Sequence, residues 1–281
     1  MTVLEVIKKS ADFFEGKGIP SARLNAELLV GHALGLKRMQ LYLQFERAVT
    51  EPELDAIRLL VRRRGQHEPL QHIVGSVEFS GLKLKIDRRA LIPRPETERL
   101  VEILVERCVA PAPARVLDLG TGSGAIALAL AEAWPAATFT AVDLSGEALA
   151  LAGENAAAGA HAGRISLVRS DWFAQLTPGS RFDLIVANPP YLSAEETAQA
   201  APEVRSYEPA LALTAGEAGL AALRAIVRAA PGFLESGGLL ALETGPSHHA
   251  ALLALAAEHA YKRTESLQDL AGRDRFVLAW I

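Results

Sequence analysis

The segment Phe182-Asp183-Leu184-Ile185-Val186-Ala187-Asn188-Pro189-Pro190-Tyr191 joins a short apolar run to a polar residue, two prolines and an aromatic residue. The apolar run predicts a buried strand, which the prolines end because they lack a backbone donor and fix φ. A residue before proline is kept out of the helical region, so we expect Asn188 to present its carboxamide at the carboxyl end of the strand. Ligands bind at that end in open α/β sheets. Taken alone, the two prolines also fit an ordinary loop that leaves a strand.

A glycine-rich turn follows an earlier apolar run. Arg115 to Leu119 predicts a short strand, Gly120-Thr121-Gly122-Ser123-Gly124 a turn, and Ala125 to Trp134 a helix. The glycines let a ligand approach the backbone at the start of the helix. The third glycine comes one residue too early for the dinucleotide fingerprint, and Asp118 would meet a pyrophosphate with a carboxylate. A cofactor with a cationic or zwitterionic group therefore fits this turn better.

Two more strands are followed by acidic residues. Asp143, nineteen residues after Gly124, closes the run that begins at Thr138. An acid at this place suits the two hydroxyls of a ribose. Asp143 fits the role of an N-cap for the next helix equally well. Asp171 and Trp172 follow the third strand, where an adenine needs an acceptor for its amino group and a flat apolar wall. A Trp172 packed between helix and sheet is the alternative.

The order of elements from Glu96 onward predicts an α/β domain. Helical patterns alternate with strands, which indicates a mostly parallel sheet covered by helices on both faces. The strands are predicted at residues 115–119, 138–142, 164–168, 182–187, 237–243 and 274–280. His248 and His249 are adjacent and cannot share a helix face, so no metal site is expected there.

The first part of the chain, residues 1–75, predicts a small helical bundle. Ser21 and Thr50 are expected to be N-caps. Arg62 to Arg64 predict a solvated helix face, with a patch that binds a partner as the alternative. Apolar spacings of three and four indicate helices at residues 1–16, 21–34, 39–45 and 51–65.

Residues 76–95 predict a β-hairpin connector with a turn at Ser80-Gly81. The connector leads into Leu91 to Glu98, where prolines on both sides keep Arg94 extended and the second proline suits the start of a helix. This segment is either a stiff linker or the rim of a substrate pocket lined by Arg94 and Glu96.

Length, composition and charge narrow the class of protein. The chain has 281 residues, half of them apolar, which suits two domains with ample cores. No apolar run reaches the ~18 residues that span a bilayer, and the single cysteine, Cys108, excludes an internal disulfide. The net charge of −4 divides into +5 for residues 1–95 (16 Lys and Arg against 11 Asp and Glu) and −9 for the rest. The acidic second part is poorly suited to duplex DNA. We expect a cytoplasmic monomer that does not bind membranes.

The glycine turn, Asp143 and the Asn-Pro-Pro-Tyr turn together resemble the class I S-adenosylmethionine-dependent methyltransferases. Asn-Pro-Pro-Tyr resembles the subset that methylates planar nitrogens. Three further segments are similar to the release factor glutamine N5-methyltransferases, the HemK/PrmC family: Glu68 to Gly75, Leu91 to Glu98 and Asp269 to Arg275. The resemblance implies a Rossmann-like methyltransferase domain at residues 96–281, with a mixed seven-stranded sheet whose last strand is antiparallel. It also implies that the helical bundle recognises a release factor.

The resemblance implies roles for the candidate residues. S-adenosylmethionine would be held by Asp118, Gly120, Thr121, Gly122, Ser123, Gly124, Asp143, Asp171, Trp172 and Asn188. No side chain deprotonates a carboxamide at neutral pH, so Asn188 and the Pro189 carbonyl would instead accept hydrogen bonds from the substrate nitrogen. Tyr191 would pack on the planar amide, with Pro190 stiffening the turn before it. Arg94 and Glu96 would line the substrate mouth.

Three alternatives stay open at this point. One is the related ribosomal-protein glutamine methyltransferase. Another is a DNA or RNA amino-methyltransferase, which shares the turn because an exocyclic amine is also planar; the acidic second part and the lack of a base-reading domain disfavour it. The third is a non-catalytic S-adenosylmethionine-binding adaptor, which has no need of the Asn-Pro-Pro-Tyr turn, Asn188 to Tyr191, called the acceptor turn below. Leu242-Glu243-Thr244-Gly245 departs from the family pattern, and we expect it at the sheet edge rather than in the site.

Overall fold

The computed structural model describes residues 1–109 and 111–281. The helices in chain order are α1 (Val3–Gly16), α2 (Ala22–Leu34), α3 (Arg38–Tyr42), α4 (Glu51–Gly65), α5 (Leu70–Val74), α6 (Pro95–Arg107), α7 (Ala125–Ala133), α8 (Gly146–Ala158), α9 (Ala194–Gln199), α10 (Pro202–Tyr207), α11 (Ala221–Ala229) and α12 (His249–Ala257). The strands are β1 (Ser76–Phe79), β2 (Leu82–Lys85), β3 (Arg115–Leu119), β4 (Thr138–Asp143), β5 (Ile165–Arg169), β6 (Phe182–Ala187), β7 (Leu234–Glu243), β8 (Arg263–Gln268) and β9 (Asp274–Trp280). Backbone contacts group the chain into two compact units, residues 1–76 with 201–207 and residues 77–200 with 208–281.

The first unit is a bundle of short helices around one apolar core. At the start of α1, the Thr2 hydroxyl accepts a hydrogen bond from the Glu5 N–H, and the Glu5 carboxylate accepts one from the Thr2 N–H. Short helices are stabilised mainly by burial of an apolar face. Here those faces meet in a core whose largest buried side chains include Ile7, Phe14, Leu29, Leu41 and Ile57.

Two local predictions for the first unit were wrong. Ser21 does not cap α2 with its side chain and instead lies in the left-handed region with φ 51°. The third helix ends at Tyr42 rather than at residue 45, and no prediction was made for α5. At Thr50 the predicted cap is present in part, since its N–H and its hydroxyl both donate to the Glu53 carboxylate.

The arginine run at the end of α4 is not simply a solvated face. Arg63 forms two hydrogen bonds of 2.8 Å with the Glu68 carboxylate. Arg64 is buried, donates to Asn25 Oδ1 at 2.8 Å and pairs with Glu203 of α10 at 2.8 Å. A buried guanidinium needs such acceptors because the loss of its hydration is costly. Arg64 is therefore a structural residue of the first unit.

The second unit contains a β1–β2 hairpin and a seven-stranded sheet in the order β5-β4-β3-β6-β7-β9-β8. The pairs from β5 to β7 are parallel, whereas β9 runs antiparallel to both β7 and β8. This is the mixed sheet that the sequence and the family resemblance predicted. One apolar core, with α6 and α7, covers one face, and a second, with α11 and α12, covers the other.

β8 has no counterpart among the predicted strands. It forms the edge of the sheet, and its sequence, Arg-Thr-Glu-Ser-Leu-Gln, is mostly polar and partly exposed. An edge strand of this kind lacks the apolar run on which strand prediction depends. The other six strands lie within three residues of their predicted bounds.

The strand order creates a switch point at β3. From β3 the chain moves outward to β4 and β5 and then returns to β6 on the other side of β3. Leu119 and Ala187 are opposite each other, so the carboxyl ends of β3 and β6 lie side by side. Open α/β sheets bind ligands at such a point. None of the described helices is long and apolar enough to cross a membrane.

Candidate active site

The glycine turn connects β3 to α7 in a conformation that requires glycine. Gly120, Gly122 and Gly124 have φ values of 72°, 56° and 84°, a region that residues with a Cβ rarely adopt. The N–H groups of Gly120 and Thr121 donate to the Val142 carbonyl of the neighbouring β4 at 2.8 and 2.9 Å. These bonds hold the turn against the carboxyl end of β4.

Asp118 is fully buried beneath the turn. Its Oδ2 accepts hydrogen bonds from the Thr121 hydroxyl at 2.7 Å and the Ala127 N–H at 3.2 Å. Its Oδ1 has no partner in the described part of the chain. Burial raises the pKa of Asp118 to about 7. An unpaired buried carboxylate oxygen is costly. Asp118 lies outside the cavity lining described below, so contact of Oδ1 with the cationic group of a cofactor stays a prediction.

Asp143 lies at the end of β4 and faces the same turn. Its Oδ2 accepts from the Gly122 N–H and its Oδ1 from the Ser145 N–H, both at 2.9 Å. Burial raises the pKa of this carboxyl. Each oxygen keeps a further lone pair. The carboxylate is thus fixed in place and still able to accept from two adjacent hydroxyls such as those of a ribose.

Trp172 lies beside the glycine turn. Its φ of 46° is unusual for a bulky residue, and such conformations cluster at functional sites. A Cβ added to Gly120 would lie 3.7 Å from the indole atom Cζ3, so the ring is close to the turn. The preceding residue, Asp171, is exposed. The indole is a flat apolar surface on the cavity wall, and its contact with an adenine stays a prediction.

A cavity of about 370 Å³ opens at this edge of the sheet, within the usual volume of small-molecule sites. Its wall includes nine of the predicted residues: Gly120, Thr121, Gly122, Ser123, Asp143, Asp171, Trp172, Asn188 and Pro190. The remaining candidates lie outside this lining: Asp118, Gly124, Pro189, Tyr191, Arg94 and Glu96. Two lining segments that the sequence analysis did not propose are Arg88 to Leu91 and Pro209 to Ala212.

The Asn-Pro-Pro-Tyr turn begins directly after β6. Asn188 Nδ2 donates to Thr97 Oγ1 at 3.0 Å, and the Thr97 hydroxyl donates to Glu243 Oε2 at 2.7 Å. Within the described residues, neither Asn188 Oδ1 nor the Pro189 carbonyl accepts a hydrogen bond. Asn188 Oδ1 and the Pro189 carbonyl are therefore two unengaged acceptors on consecutive residues. Asn188 lines the cavity and Pro189 is buried beside it, so contact of both with a ligand stays a prediction.

Tyr191 is held by its hydroxyl and by its backbone. The hydroxyl donates to Glu243 Oε1 at 3.4 Å and accepts from Arg275 Nη1 at 3.3 Å. Burial raises the pKa of Tyr191, so the phenol stays neutral at physiological pH. The backbone carbonyl lies against Gly219, where an added Cβ would overlap the carbonyl oxygen.

Arg94 and Glu96 each form an ion pair within the second unit. Arg94 Nη2 lies 2.7 and 2.8 Å from the two carboxylate oxygens of Glu208. Glu96 pairs with Arg273 at 3.2 Å. The Arg94 pair ties the start of α6 to the segment that continues into the cavity wall at Pro209. Direct contact of Arg94 or Glu96 with a substrate stays a prediction.

Thr97 and Glu243 were missed by the sequence analysis. Glu243 was expected at the sheet edge, but it is 1% exposed and contacts Thr97 and Tyr191. It ends β7, whose carboxyl end lies next to that of β6. The available signal was an acid that closes an apolar strand, the same pattern that identified Asp143. No group of three or more potential metal ligands occurs among the described residues.

Similar solved structures support the fold class. A Thermus thermophilus 16S rRNA N2 G1207 methyltransferase, solved with AdoMet and guanosine, has a TM-score of 0.53 and 23% identity over 73% of this chain and 49% of that chain. A methyltransferase from Pyrococcus furiosus has a TM-score of 0.53 and 16% identity over 71% of this chain and 89% of that chain. At these identities the likeness concerns the fold alone. The fold is that of the class I methyltransferases, as predicted.

Sequence comparisons then give the family. The model described as the PrmC N-terminal domain matches residues 5–75, and the methyltransferase small domain matches residues 96–204. A Geobacter sulfurreducens release factor glutamine methyltransferase is 42% identical over 98% of this chain and 95% of its own length. One from Deinococcus radiodurans is 44% identical over 93% of this chain and 92% of its own length. The chain belongs to the release factor glutamine methyltransferase family, which confirms the resemblance found in the sequence.

Proposed function

We propose that this protein transfers a methyl group from S-adenosylmethionine to the side-chain amide nitrogen, N5, of a glutamine in a peptide chain release factor. The observation that carries the chemistry is the pair of unengaged acceptors at the end of β6, Asn188 Oδ1 and the Pro189 carbonyl. A primary carboxamide has two N–H groups, which match these two acceptors. Family membership supports the choice of glutamine and of a release factor.

The two acceptors have a specific chemical task. The amide nitrogen of glutamine is a weak nucleophile because its lone pair is shared with the carbonyl group. Hydrogen bonds from both N–H groups to Asn188 and Pro189 orient the nitrogen for in-line attack. As the nitrogen bonds to carbon it becomes more positive, so both hydrogen bonds strengthen in the transition state. Tyr191 packs on the amide plane and limits its rotation.

The cofactor supplies an electrophilic methyl group on a sulfonium, whose departure needs no proton. In our proposal Asp118 Oδ1 meets its amino group, and Asp143 accepts from its ribose hydroxyls. Trp172 covers one face of the adenine, and Asp171 accepts from the adenine amino group. Gly120 to Gly124 bring the backbone close to the ligand without side chains in the way.

The remaining expectations concern partners and place of action. The first part of the chain, residues 1–95, carries a net charge of +5, which favours attraction to an acidic protein surface. We propose that residues 1–75 recognise the release factor and that the protein acts as a cytoplasmic monomer. The net charge of −9 on the rest of the chain makes duplex DNA an unfavourable substrate.

The substrate assignment is tested with S-adenosylmethionine labelled in its methyl group. The enzyme is incubated separately with a release factor, with ribosomal proteins and with DNA, and the labelled product is digested and analysed by mass spectrometry. The expected result is a single added methyl on one glutamine side chain of the release factor. Replacement of that glutamine by asparagine should abolish labelling. Label on a ribosomal protein or on adenine, with the release factor unlabelled, would contradict the proposal.

Asp143→Ala should weaken cofactor binding at least tenfold. A hydrogen bond to a charged group contributes about 1.5–3 kcal/mol, so the loss of even one ribose contact corresponds to roughly 10- to 100-fold in Kd. Calorimetric titration with S-adenosylmethionine measures the change. The matched control is Glu147→Gln, which removes a negative charge from an exposed residue of the same cavity wall. Equal losses in both variants would point to general electrostatics instead of ribose contacts.

A further inference from the structure

We infer that Thr97 and Glu243 are positioning residues that determine which way round the Asn188 carboxamide faces, and so select its oxygen as the group presented to the substrate amide. The inference rests on the proposed function, because orientation matters only if Asn188 receives a hydrogen-bond donor. It assigns a role in the reaction to two residues that lie outside the Asn-Pro-Pro-Tyr turn.

Three side chains are connected in series by hydrogen bonds. The Asn188 Nδ2 group, the Thr97 hydroxyl and the Glu243 carboxylate are joined by hydrogen bonds of 3.0 and 2.7 Å. Thr97 belongs to the first turn of α6, and Glu243 is the last residue of β7. Both are buried, at 4% and 1% exposure. Water therefore does not compete readily for these bonds.

The number of available hydrogens decides which group donates in each of these hydrogen bonds. An ionised Glu243 can only accept, so the single hydrogen of the Thr97 hydroxyl must point toward it. The Thr97 oxygen then has only lone pairs left for Asn188. It can pair with the –NH₂ end of the carboxamide but not with its oxygen. The reversed carboxamide would place two acceptors against each other and leave Oδ1 unable to receive the substrate N–H.

Glu243 is itself held in place by neighbouring groups. Oε1 accepts from the Tyr191 hydroxyl at 3.4 Å, and that hydroxyl accepts in turn from Arg275 Nη1. The groups that face Glu243 are thus Thr97 of α6, Tyr191 of the acceptor turn and Arg275 of β9, with the charge of Glu96 nearby. One carboxylate therefore connects both ends of the Asn-Pro-Pro-Tyr turn.

The orientation of the Asn188 carboxamide should depend on pH through the protonation state of Glu243. Burial raises the pKa of Glu243 to about 7. A protonated Glu243 can donate to Thr97, which frees the Thr97 hydrogen for Asn188 Oδ1 and allows the carboxamide to reverse. The orientation suited to the reaction is favoured above that pKa and is lost as the pH falls through it.

The test compares two replacements of Thr97 in the full-length enzyme with a release factor as substrate. Thr97→Val keeps the shape of the side chain and removes the hydroxyl, whereas Thr97→Ser keeps the hydroxyl. We expect Thr97→Val to lower kcat about tenfold, the equivalent of one hydrogen bond. The Kd for S-adenosylmethionine should change by less than about twofold. Thr97→Ser should keep most of the wild-type kcat.

A purely structural role for Thr97 makes different predictions. It would lower the Tm and leave kcat at permissive temperature unchanged, so both quantities are measured for each variant. Equal kcat values for Thr97→Val and wild type would overturn the inference, as would an equal defect in Thr97→Ser and Thr97→Val. If the wild-type enzyme does not label the release factor, the proposed function itself fails, and that result is distinct from any difference among Thr97 variants.

The pH profile provides the second measurement. In the wild type, kcat should fall as the pH decreases through about 7. In Glu243→Gln the side chain no longer titrates, and its –NH₂ can donate to Thr97 as a protonated Glu243 does. The fall of kcat at low pH, the acid limb of the profile, should therefore be absent. Turnover at pH 8 should drop toward the value that the wild type reaches at low pH. An unchanged acid limb in Glu243→Gln would contradict the role given to Glu243.

Discussion

Asn188→Ala should lower kcat for methylation of the release factor by about 10²- to 10³-fold, the usual effect of removing one group that stabilises charge in a transition state. The structure gives the reason, since Asn188 Oδ1 is one of two acceptors at the end of β6 that no described residue occupies. Its hydrogen bond strengthens as the substrate nitrogen becomes positive. The change should therefore appear in kcat more than in KM.

The cofactor affinity of the same variant provides the contrast. Asn188 contributes to the cavity wall, but the glycine turn, Asp118 and Asp143 provide the other proposed contacts to the cofactor. The Kd for S-adenosylmethionine should rise by no more than a few fold. A useful companion is Asn188→Asp, which keeps an acceptor oxygen but loses the –NH₂ that donates to Thr97. Near-normal turnover of Asn188→Ala at saturating substrate would show that Asn188 does not orient the acceptor nitrogen.

The part of the site that sequence could predict is governed by local rules. Gly120, Gly122 and Gly124 have the positive φ values that glycine permits. Asn188 is followed by proline, and Asp143 closes an apolar strand. Parallel strands place their carboxyl ends at one edge of the sheet, so these elements were expected to meet. The cavity at that edge contains residues from all three.

The part that sequence could not predict depends on contacts between distant positions. Thr97 and Glu243 are 146 positions apart, and only the tertiary fold brings the first turn of α6 to the end of β7. The unpaired Oδ1 of Asp118 is likewise visible only when all neighbouring donors have been placed. β8 escaped prediction for a different reason, because a polar edge strand carries little apolar periodicity.

The loop before α11 supports the Tyr191 end of the acceptor turn. The Leu192 N–H donates to the Leu213 carbonyl at 3.1 Å, which ties the chain after Tyr191 to this loop. Glu217, Ala218 and Gly219 then have consecutive φ values of 53°, 54° and 90°. Non-glycine residues in this region cost about 1–3 kcal/mol each. The loop keeps this strain and places Gly219 against the Tyr191 carbonyl. We therefore expect the position of the acceptor turn to depend on the shape of this loop.

Gly219→Ala should therefore reduce kcat about 10²-fold, through a shift of the acceptor turn. The new Cβ would overlap the Tyr191 carbonyl oxygen and lie 2.8 Å from its carbonyl carbon, so the backbone of one segment must move. Misplacement by about 1 Å near reacting groups can cost about 10²-fold in rate. The unfavourable φ of 90° should also lower the free energy of unfolding by more than about 1 kcal/mol.

Gly216→Ala is the matched control in the same loop. Gly216 has a φ of −62°, and the atom nearest to its added Cβ would be Ala221 Cβ at an ordinary 3.7 Å. This variant should retain turnover and stability close to wild type. Steady-state methylation of the release factor and thermal unfolding measure both effects, with all kinetics taken well below the Tm of the weaker variant. If Gly219→Ala loses stability but keeps wild-type kcat, the position of the Tyr191 carbonyl does not control the acceptor turn. The contact with Tyr191 predicts that kcat falls in Gly219→Ala and not in Gly216→Ala.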